Sequence, residues 1–281
     1  MSAAPVRLGG FVIHGDAAST LGDCLDALRA TCDEVVAVDS GSTDGSAALV
    51  ESRGARRVAL PWRGYGAARA AAAAALPGCD YLFFLDSDEY LEPAAVEAIR
   101  AWKREGARTP HVRLVRRDWA ELPGHRFLFR EERHVRLVQA GAARWEPRMV
   151  VHEALARAEA ADLPAHVEHR FVSAPELRQE KEDRYALLWA LRARLEGRRR
   201  KPAFPQRLAH ALRNAVLKGA ALRGGLDGLA LSWRVARYHA EKYRRLAEIE
   251  RGEWAEELAA LREGRLEELF ARVARLESRH P

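Results

Sequence analysis

Two aspartates, Asp86 and Asp88, stand two residues apart directly after five apolar residues in YLFFLDSDEYL (81–91). In an extended chain that spacing points both carboxylates to one side. Two hard oxygen donors on one side suit Mg2+ or Mn2+, cations that also bind phosphates. Another acid, Asp39, ends a second apolar run in EVVAVDSGSTDGS (34–46). A carboxylate there can accept hydrogen bonds from a base or a ribose. Ser40, Ser42 and Thr43 add small polar groups, and Gly41 and Gly45 let the backbone turn tightly. A plainer reading stands beside each motif. A lone Asp-x-Asp is commonly a solvated loop, and the turn after Asp39 also fits a simple strand-to-helix connection in which Asp44 caps the next helix. The recurrence of an acid at the end of two apolar runs favours chemistry, because ligands of a parallel sheet bind beyond the carboxyl ends of its strands.

The elements that must position these acids alternate along the chain. Strands are expected at 8–14, 34–38, 56–60 and 80–85, and helices at 19–31, 44–53, 65–76 and 92–105. Ser19 or Thr20 is a suitable cap for the first helix, and Glu92-Pro93 opens the fourth. Such alternation requires a mainly parallel sheet with helices on both faces. After Pro110 the rhythm changes: strands are expected at 111–117 and 134–138, separated by a loop holding Pro123-Gly124. Helical signals resume at Pro175 and continue to the end. RLAHALRNAVLKGAAL (207–222) places Leu208, Ala211, Leu212, Ala215, Val216, Gly219 and Leu222 on one side and Arg207, Asn214 and Lys218 toward the other. A further amphipathic helix is expected over 254–276. The expected domains are 1–173 and a basic helical region, 174–281.

The chain has 281 residues, 48% of them hydrophobic, enough for a sizeable core. It carries 46 Lys+Arg against 40 Asp+Glu. The excess is concentrated: between 184 and 223 eleven basic residues face Glu196 alone. This segment is either a solvated helix surface or a patch for phosphates, on a membrane, a lipid-linked substrate or a nucleic acid. Cys24, Cys32 and Cys79 are odd in number and lack zinc-type spacing, which favours core thiols in a reducing compartment. No signal peptide or bilayer-spanning run is expected, and the expected location is the cytoplasm or the cytoplasmic face of the inner membrane.

The segments DEVVAVDSGSTDGS (33–46), PWRGYGAARAAA (61–72) and YLFFLDSDEYL (81–91) together resemble the family 2 glycosyltransferases with the GT-A fold. RLVQAGAARWEPRMVVHE (136–153), HVEHRF (166–171) and KEDRYALLWA (181–190) are similar to a subgroup, bacterial enzymes related to the lipopolysaccharide core β-1,4-glucosyltransferases. The resemblance implies a Rossmann-like, mainly parallel sheet with a C-terminal helical extension, and an inverting, metal-dependent transfer from a UDP-sugar to a glycan or glycolipid acceptor. His14, Gly15 and Asp16 would occupy the nucleotide-facing loop, with Asp39 and Ser40 on the uracil side. Asp86 and Asp88 would be the cation-holding pair, Asp88 the more direct ligand. Glu153 would be the general base, with Asp118 or Glu121 as replacements. His152 or His169 would complete the metal or diphosphate site, and Arg136 and Lys181 would contact phosphate or acceptor. Two departures leave the donor sugar open. His14-Gly15-Asp16 stands where the family commonly has a Thr-x-Asn-Glu-like loop, and Arg69 keeps only the positive charge of a Lys-Asn pair.

Other classes remain: a nucleotidyltransferase, a nucleic-acid-binding protein and a catalytically dead scaffold homologue. Residues 8–16 lack a Gly-rich, Lys-bearing phosphate loop, which counts against the first. Residues 184–203 lack the aromatic interleaving of single-strand binders, and no nucleic-acid partner is expected. A homodimer through the C-terminal helices is a further expectation.

Overall fold

The structure, a computed structural model, describes residues 5–106, 109–146, 150, 155, 158–172 and 175–274, without the side chains of 172 and 175–181. It divides into two compact units. One comprises the chain up to Asp118 together with Glu131–Phe171, and the other Trp119–Arg130 together with the chain from Val172.

The first unit begins with the expected alternation: β1 (Leu8–His14), α1 (Ala18–Thr31), β2 (Glu34–Asp39), α2 (Ser46–Ser52), β3 (Arg56–Ala59), α3 (Tyr65–Ala74), β4 (Tyr81–Asp86) and, after the short β5 (Glu89–Tyr90), α4 (Pro93–Glu105). Two long strands, β6 (His111–Leu122) and β7 (His125–Gln139), flank the Pro123-Gly124 turn, and β8 (Ala160–Val172) follows. The sheet order is β3-β2-β1-β4-β7-β6-β8-β5. β1 is parallel to both β2 and β4, and β2 to β3, whereas β4 pairs antiparallel with β7, and β5 with β8. This sheet, parallel in its β3-β2-β1-β4 half and flanked by helices, is the arrangement expected of the GT-A fold.

Period-2 alternation assigns the strand residues to two cores. Leu8, Val12, Val35, Ala37, Phe83 and Leu85 pack on one face with α1 and α4, through Leu21, Leu25, Leu28 and Ile99. Phe11, Val36, Val38, Leu82 and Phe84 pack on the other with Ala68 and Ala72 of α3. There Trp145 stands edge-on to both Phe11 and Phe84, with ring centroids 5.6 and 5.7 Å away. The chain also approaches itself closely at Gly9 and Gly10, where a Cβ would lie 2.8 Å from the Cys79 and Cys32 sulfurs respectively. The three cysteines are free thiols packed in this interior, and burial pushes the Cys32 thiol up to about 12.

Several local expectations are corrected. Neither Ser19 nor Thr20 caps α1. The helix begins one residue earlier, and Asp44, from the loop after β2, accepts the Ala18 amide at 2.8 Å. Asp44 also accepts the Ser46 amide at the start of α2, so one carboxylate serves two helix starts. β6 and β7 extend well past their expected ends, and β8 was not anticipated.

The second unit is helical: α5 (Pro175–Leu195), α6 (Ala203–Leu212), α7 (Ala220–Glu250), α8 (Ala255–Glu263) and α9 (Leu266–Ala274). The helix expected over 207–222 is broken. α6 runs into a wide turn at Arg213–Leu217, and Gly219, in the left-handed region at φ 71°, starts α7. α7 is itself kinked at Gly225 (φ 54°, ψ −132°). The helix expected over 254–276 is split by Gly264 at φ 75°. Leu187, Leu191, Leu231, Ala236 and Leu246 are among its core residues.

Candidate active site

Strand register brings the acids to one rim. His14, the last residue of β1, pairs with Asp39, and its neighbour Ile13 pairs with Asp86. Asp39 and Asp86 therefore end the strands on either side of β1, with backbones roughly 10 Å apart. Asp88 lies in the turn from β4 to β5, two residues past Asp86.

Asp39 is buried and bonded by its own loop. Its Oδ1 accepts the Gly41 and Ser42 amides at 3.0 and 2.8 Å and the Ser42 hydroxyl at 2.7 Å. Its Oδ2 accepts Nε of Arg57 at 2.7 Å. Burial pushes the carboxyl up, but these bonds outweigh burial and hold it well below the usual range. The loops of β1 and β2 are stitched together around it. Ser40 donates to the His14 carbonyl at 2.8 Å. Asp16, held at φ 47°, accepts the Thr43 amide at 2.7 Å. His14 is buried beside Asp39, and burial lowers its pKa.

Asp86 and Asp88 keep side-chain exposures of 41% and 37%, open enough to meet a ligand. Arg69 and Arg136 each approach an Asp86 oxygen at 3.4 Å, and both guanidiniums lie over the Phe84 ring. Burial opposes charge on Asp86, yet Arg136, Arg69 and Arg116 hold its pKa well below the ordinary range. Glu89, the fourth residue of the Asp-Ser-Asp-Glu run, has opposite surroundings. Its side chain is fully buried, paired with Arg136, and accepts the Asp86 amide at 3.0 Å. Burial first, then Asp86, raises its pKa to about 7.

His169 is on β8, directly opposite Glu89. Its Nδ1 donates to Asp118 at 2.7 Å and its Nε2 faces Asp88 at 3.4 Å. Burial alone would lower its pKa, but Asp118 and Asp88 raise it to about 9. Asp118 is fully buried and also pairs with Arg116 at 2.8 Å, so it is a structural partner of His169 and not a free base. Glu121, the other replacement candidate, pairs with Arg126 at 3.3 Å.

The register thus brings together Asp16, Ser40, Asp39, Asp86, Arg69, Arg136, Asp88 and His169 in the first unit. Glu153 and His152 lie outside the described residues, as does the side chain of Lys181. Arg57, Glu89 and Arg116 were missed. The signal was faint: an Arg in a short strand, an acid that reads as the solvated end of a run, and an Arg two residues before Asp118.

Among the described residues no group of three or more His, Cys, Asp or Glu forms a ready cation cage. The donor set nevertheless suits a cation shared with phosphates, since Mg2+ is usually held by one or two carboxylates plus substrate phosphates. The Asp118–His169–Asp88 line has the carboxylate–imidazole arrangement that orients a metal-ligating histidine.

The sequence profile of family 2 glycosyl transferases matches residues 12–157. The lipopolysaccharide core biosynthesis glycosyltransferase LpsC of Rhizobium meliloti is 34% identical over 158 residues, which are 53% of this chain and 56% of that protein. An uncharacterized glycosyltransferase of Rickettsia felis is 32% identical over 85 residues, 30% of each chain. The chain therefore spans little more than half the length of these relatives, or less. Glucosyl-3-phosphoglycerate synthase from Mycobacterium tuberculosis, solved with Mn2+ and UDP-glucose, is 25% identical over 40% of this chain and 44% of its own, with a TM-score of 0.35. By a profile that spans more than half its length, the chain belongs to the family 2 glycosyltransferases.

Proposed function

We propose that this transferase moves a sugar from a UDP-sugar, with UDP-glucose the first to try, to a hydroxyl of a lipopolysaccharide-core or other cell-envelope glycan, inverting the anomeric centre. One observation carries the reading. Two partly exposed carboxylates, Asp86 and Asp88, stand at the strand-end rim, with cationic Arg69 and Arg136 on one and His169 on the other.

In this reading Asp86 and Asp88 would hold a divalent cation, Mg2+ or Mn2+, and Nε2 of His169 would join them on losing its proton to solvent. When bound, it supplies Lewis-acid neutralisation of the leaving diphosphate. The protein's own residues do the rest. Arg69 and Arg136 keep Asp86 ionised, so it does not have to lose a proton before binding. Asp118 holds the proton of His169 on Nδ1 and leaves Nε2 facing the site. Asp39, its buried carboxylate fixed by Arg57 and the Ser42 loop, would hold that loop in shape beneath the nucleotide, with Asp16 and Ser40 beside it. Lys181 contacts the acceptor or its phosphates. Glu153 takes the acceptor proton as the new C1–O bond forms and the C1–O bond to the diphosphate breaks on the opposite face. His152, the residue before it in sequence, would contact the diphosphate.

A panel of UDP- and GDP-sugars, screened for thermal stabilisation with Mn2+, tests donor binding. A UDP-sugar should stabilise the wild type and not Asp88→Ala. Glu153→Gln should lose turnover but keep UDP binding. Near-normal turnover in Glu153→Gln would move the base elsewhere. No stabilisation by any UDP-sugar would end the donor assignment.

A further inference from the structure

Within the basic segment and just past it, α6, the wide turn and the start of α7 carry their large apolar side chains outward. On α6, Phe204, Leu208 and Leu212 recur every fourth residue and are all exposed, Phe204 at 65%. The wide turn exposes Val216 and Leu217, and α7 exposes Leu222 at 91% and Leu226 at 83%. Phe204 meets Trp233 of α7, with ring centroids 6.4 Å apart, so the two stripes join into one surface. The inward faces hold small residues instead. Ala211, Ala215, Gly224 and Gly228 are buried, Gly224 with the Phe127 ring against it. Asn214, which helical periodicity places on the polar side, is buried as well. This inverts the usual arrangement of a helix on a soluble core, which turns its large apolar residues inward. A contiguous exposed apolar surface of this kind marks an interaction site.

Charge identifies what covers it. From Arg198 to Arg234 the sole acid is Asp227, which pairs with His125 at 3.0 Å. Exposed Arg198, Arg199, Arg200 and Lys201 lead into α6, and exposed Arg213 and Arg234 flank the apolar stripe. Arg207 lies 4.1 Å over the Trp233 ring, an aromatic at the edge of the stripe. A second copy docked face to face would bring these cations against themselves. An anionic bilayer offers both an apolar interior and complementary headgroups. No helix among the described residues is long and apolar enough to cross a membrane. We infer that α6, the wide turn and the start of α7 lie in the surface of an anionic bilayer, their leucines entering the acyl boundary and the flanking arginines meeting lipid phosphates. An interfacial helix of this type buries its apolar face about 5–10 Å below the headgroups, and each nearby cation strengthens binding.

The inference is independent of the transfer reading, because binding is measured without donor or acceptor. The full-length chain is mixed with phosphatidylcholine vesicles with and without phosphatidylglycerol, and binding is read by co-flotation. The wild type should bind the anionic vesicles, and binding should weaken with salt. Leu222→Gln/Leu226→Gln should weaken it at least tenfold. Both sites are exposed, so the double variant should keep the wild-type circular dichroism and melting temperature. Arg199→Glu/Arg200→Glu should weaken binding to anionic vesicles alone. Equal binding by the leucine variant and the wild type would overturn the inference. So would a wild-type dimer in solution that the leucine variant abolishes while neither protein binds vesicles.

Discussion

Asp118 accepts the Nδ1 proton of His169 at 2.7 Å, and the other ring nitrogen faces Asp88 at 3.4 Å. A carboxylate can only accept, so Nδ1 keeps its proton, and Nε2 becomes the nitrogen open to a cation once the cation displaces the second proton that Asp88 and Asp118 hold on the ring. Asp118→Asn is nearly the same shape but can donate. It would put the imidazole proton on Nε2 and block that lone pair. The expected outcome is a loss of roughly 10–100-fold in Mn2+-supported UDP affinity. Calorimetric titration of Mn2+ and UDP checks it, with cation-free melting as the control for folding. Unchanged Mn2+ dependence in a folded Asp118→Asn protein would remove His169 from the cation site.

Glu89 differs from its neighbours Asp86 and Asp88 in having no exposed surface: its carboxylate pairs with Arg136 and accepts the Asp86 amide. Removing one member of a buried pair is costly, because Arg136 is left with only its longer, 3.4 Å contact to Asp86. Glu89→Ala should therefore cost about 3–5 kcal/mol in urea unfolding. Glu89→Gln should cost clearly less, because its amide oxygen can still accept the Asp86 N–H. Equal losses in the two variants would show that the ion pair and amide bond are not what Glu89 contributes.

Why Glu89 was overlooked while Asp86 and Asp88 stood out is a matter of range. Asp39 and Asp86 could be read because each ends a run of four or five apolar residues, a local pattern that marks a buried strand and its rim. Period-2 and period-3.6 patterns likewise located β1 to β4 and α1 to α4 within a residue or two. Glu89 is buried because β5 pairs with β8, Glu89 against His169, a contact between residues 80 positions apart in the sequence that no local pattern encodes. β8 itself reads poorly, since AADLPAHVEHRFV mixes a proline with several charges. Arg57 and Asp118 find their partners Asp39 and His169 the same way, across strands. The reading of 207–222 failed for another reason. Periodicity assumes one unbroken helix, but the chain breaks between Arg213 and Gly219, and the single apolar side splits into small residues that turn inward and large ones that turn out.

Gly224 packs so closely under Phe127 that an added Cβ would lie 2.4–2.7 Å from three of its ring carbons. On propensity alone Gly224→Ala should favour the helix by up to about 1 kcal/mol. The collision should reverse that sign and destabilise by about 1–3 kcal/mol. Phe127→Leu shortens the opposing side chain, so the double variant should be more stable than the sum of the two single losses. A stabilising Gly224→Ala, or strict additivity, would show that the ring moves aside freely.

His239 stacks on His210 with ring centroids 3.3 Å apart and planes 6° from parallel. Burial lowers the His239 pKa to about 3, and the cations Lys242, Arg130 and Arg213 and the His210 ring add to the effect. Burial lowers His210 as well. A histidine that is neutral when folded takes up its proton more readily on unfolding. Between about 3 and its ordinary value of 6.5 the unfolded chain therefore binds more protons, and stability falls as the pH drops through that window. Ordinary carboxylates titrate in the lower part and Glu89, raised to about 7, across the upper part, so the His239 share is read as the difference between wild type and variant from pH 5 to 6.5. Over it the wild-type melting temperature should decline and that of His239→Phe, which keeps a stacking ring without a titrating nitrogen, should decline less. Scanning calorimetry at half-unit pH steps measures both slopes. Parallel slopes would mean that the His239 ring already carries its proton in the folded protein.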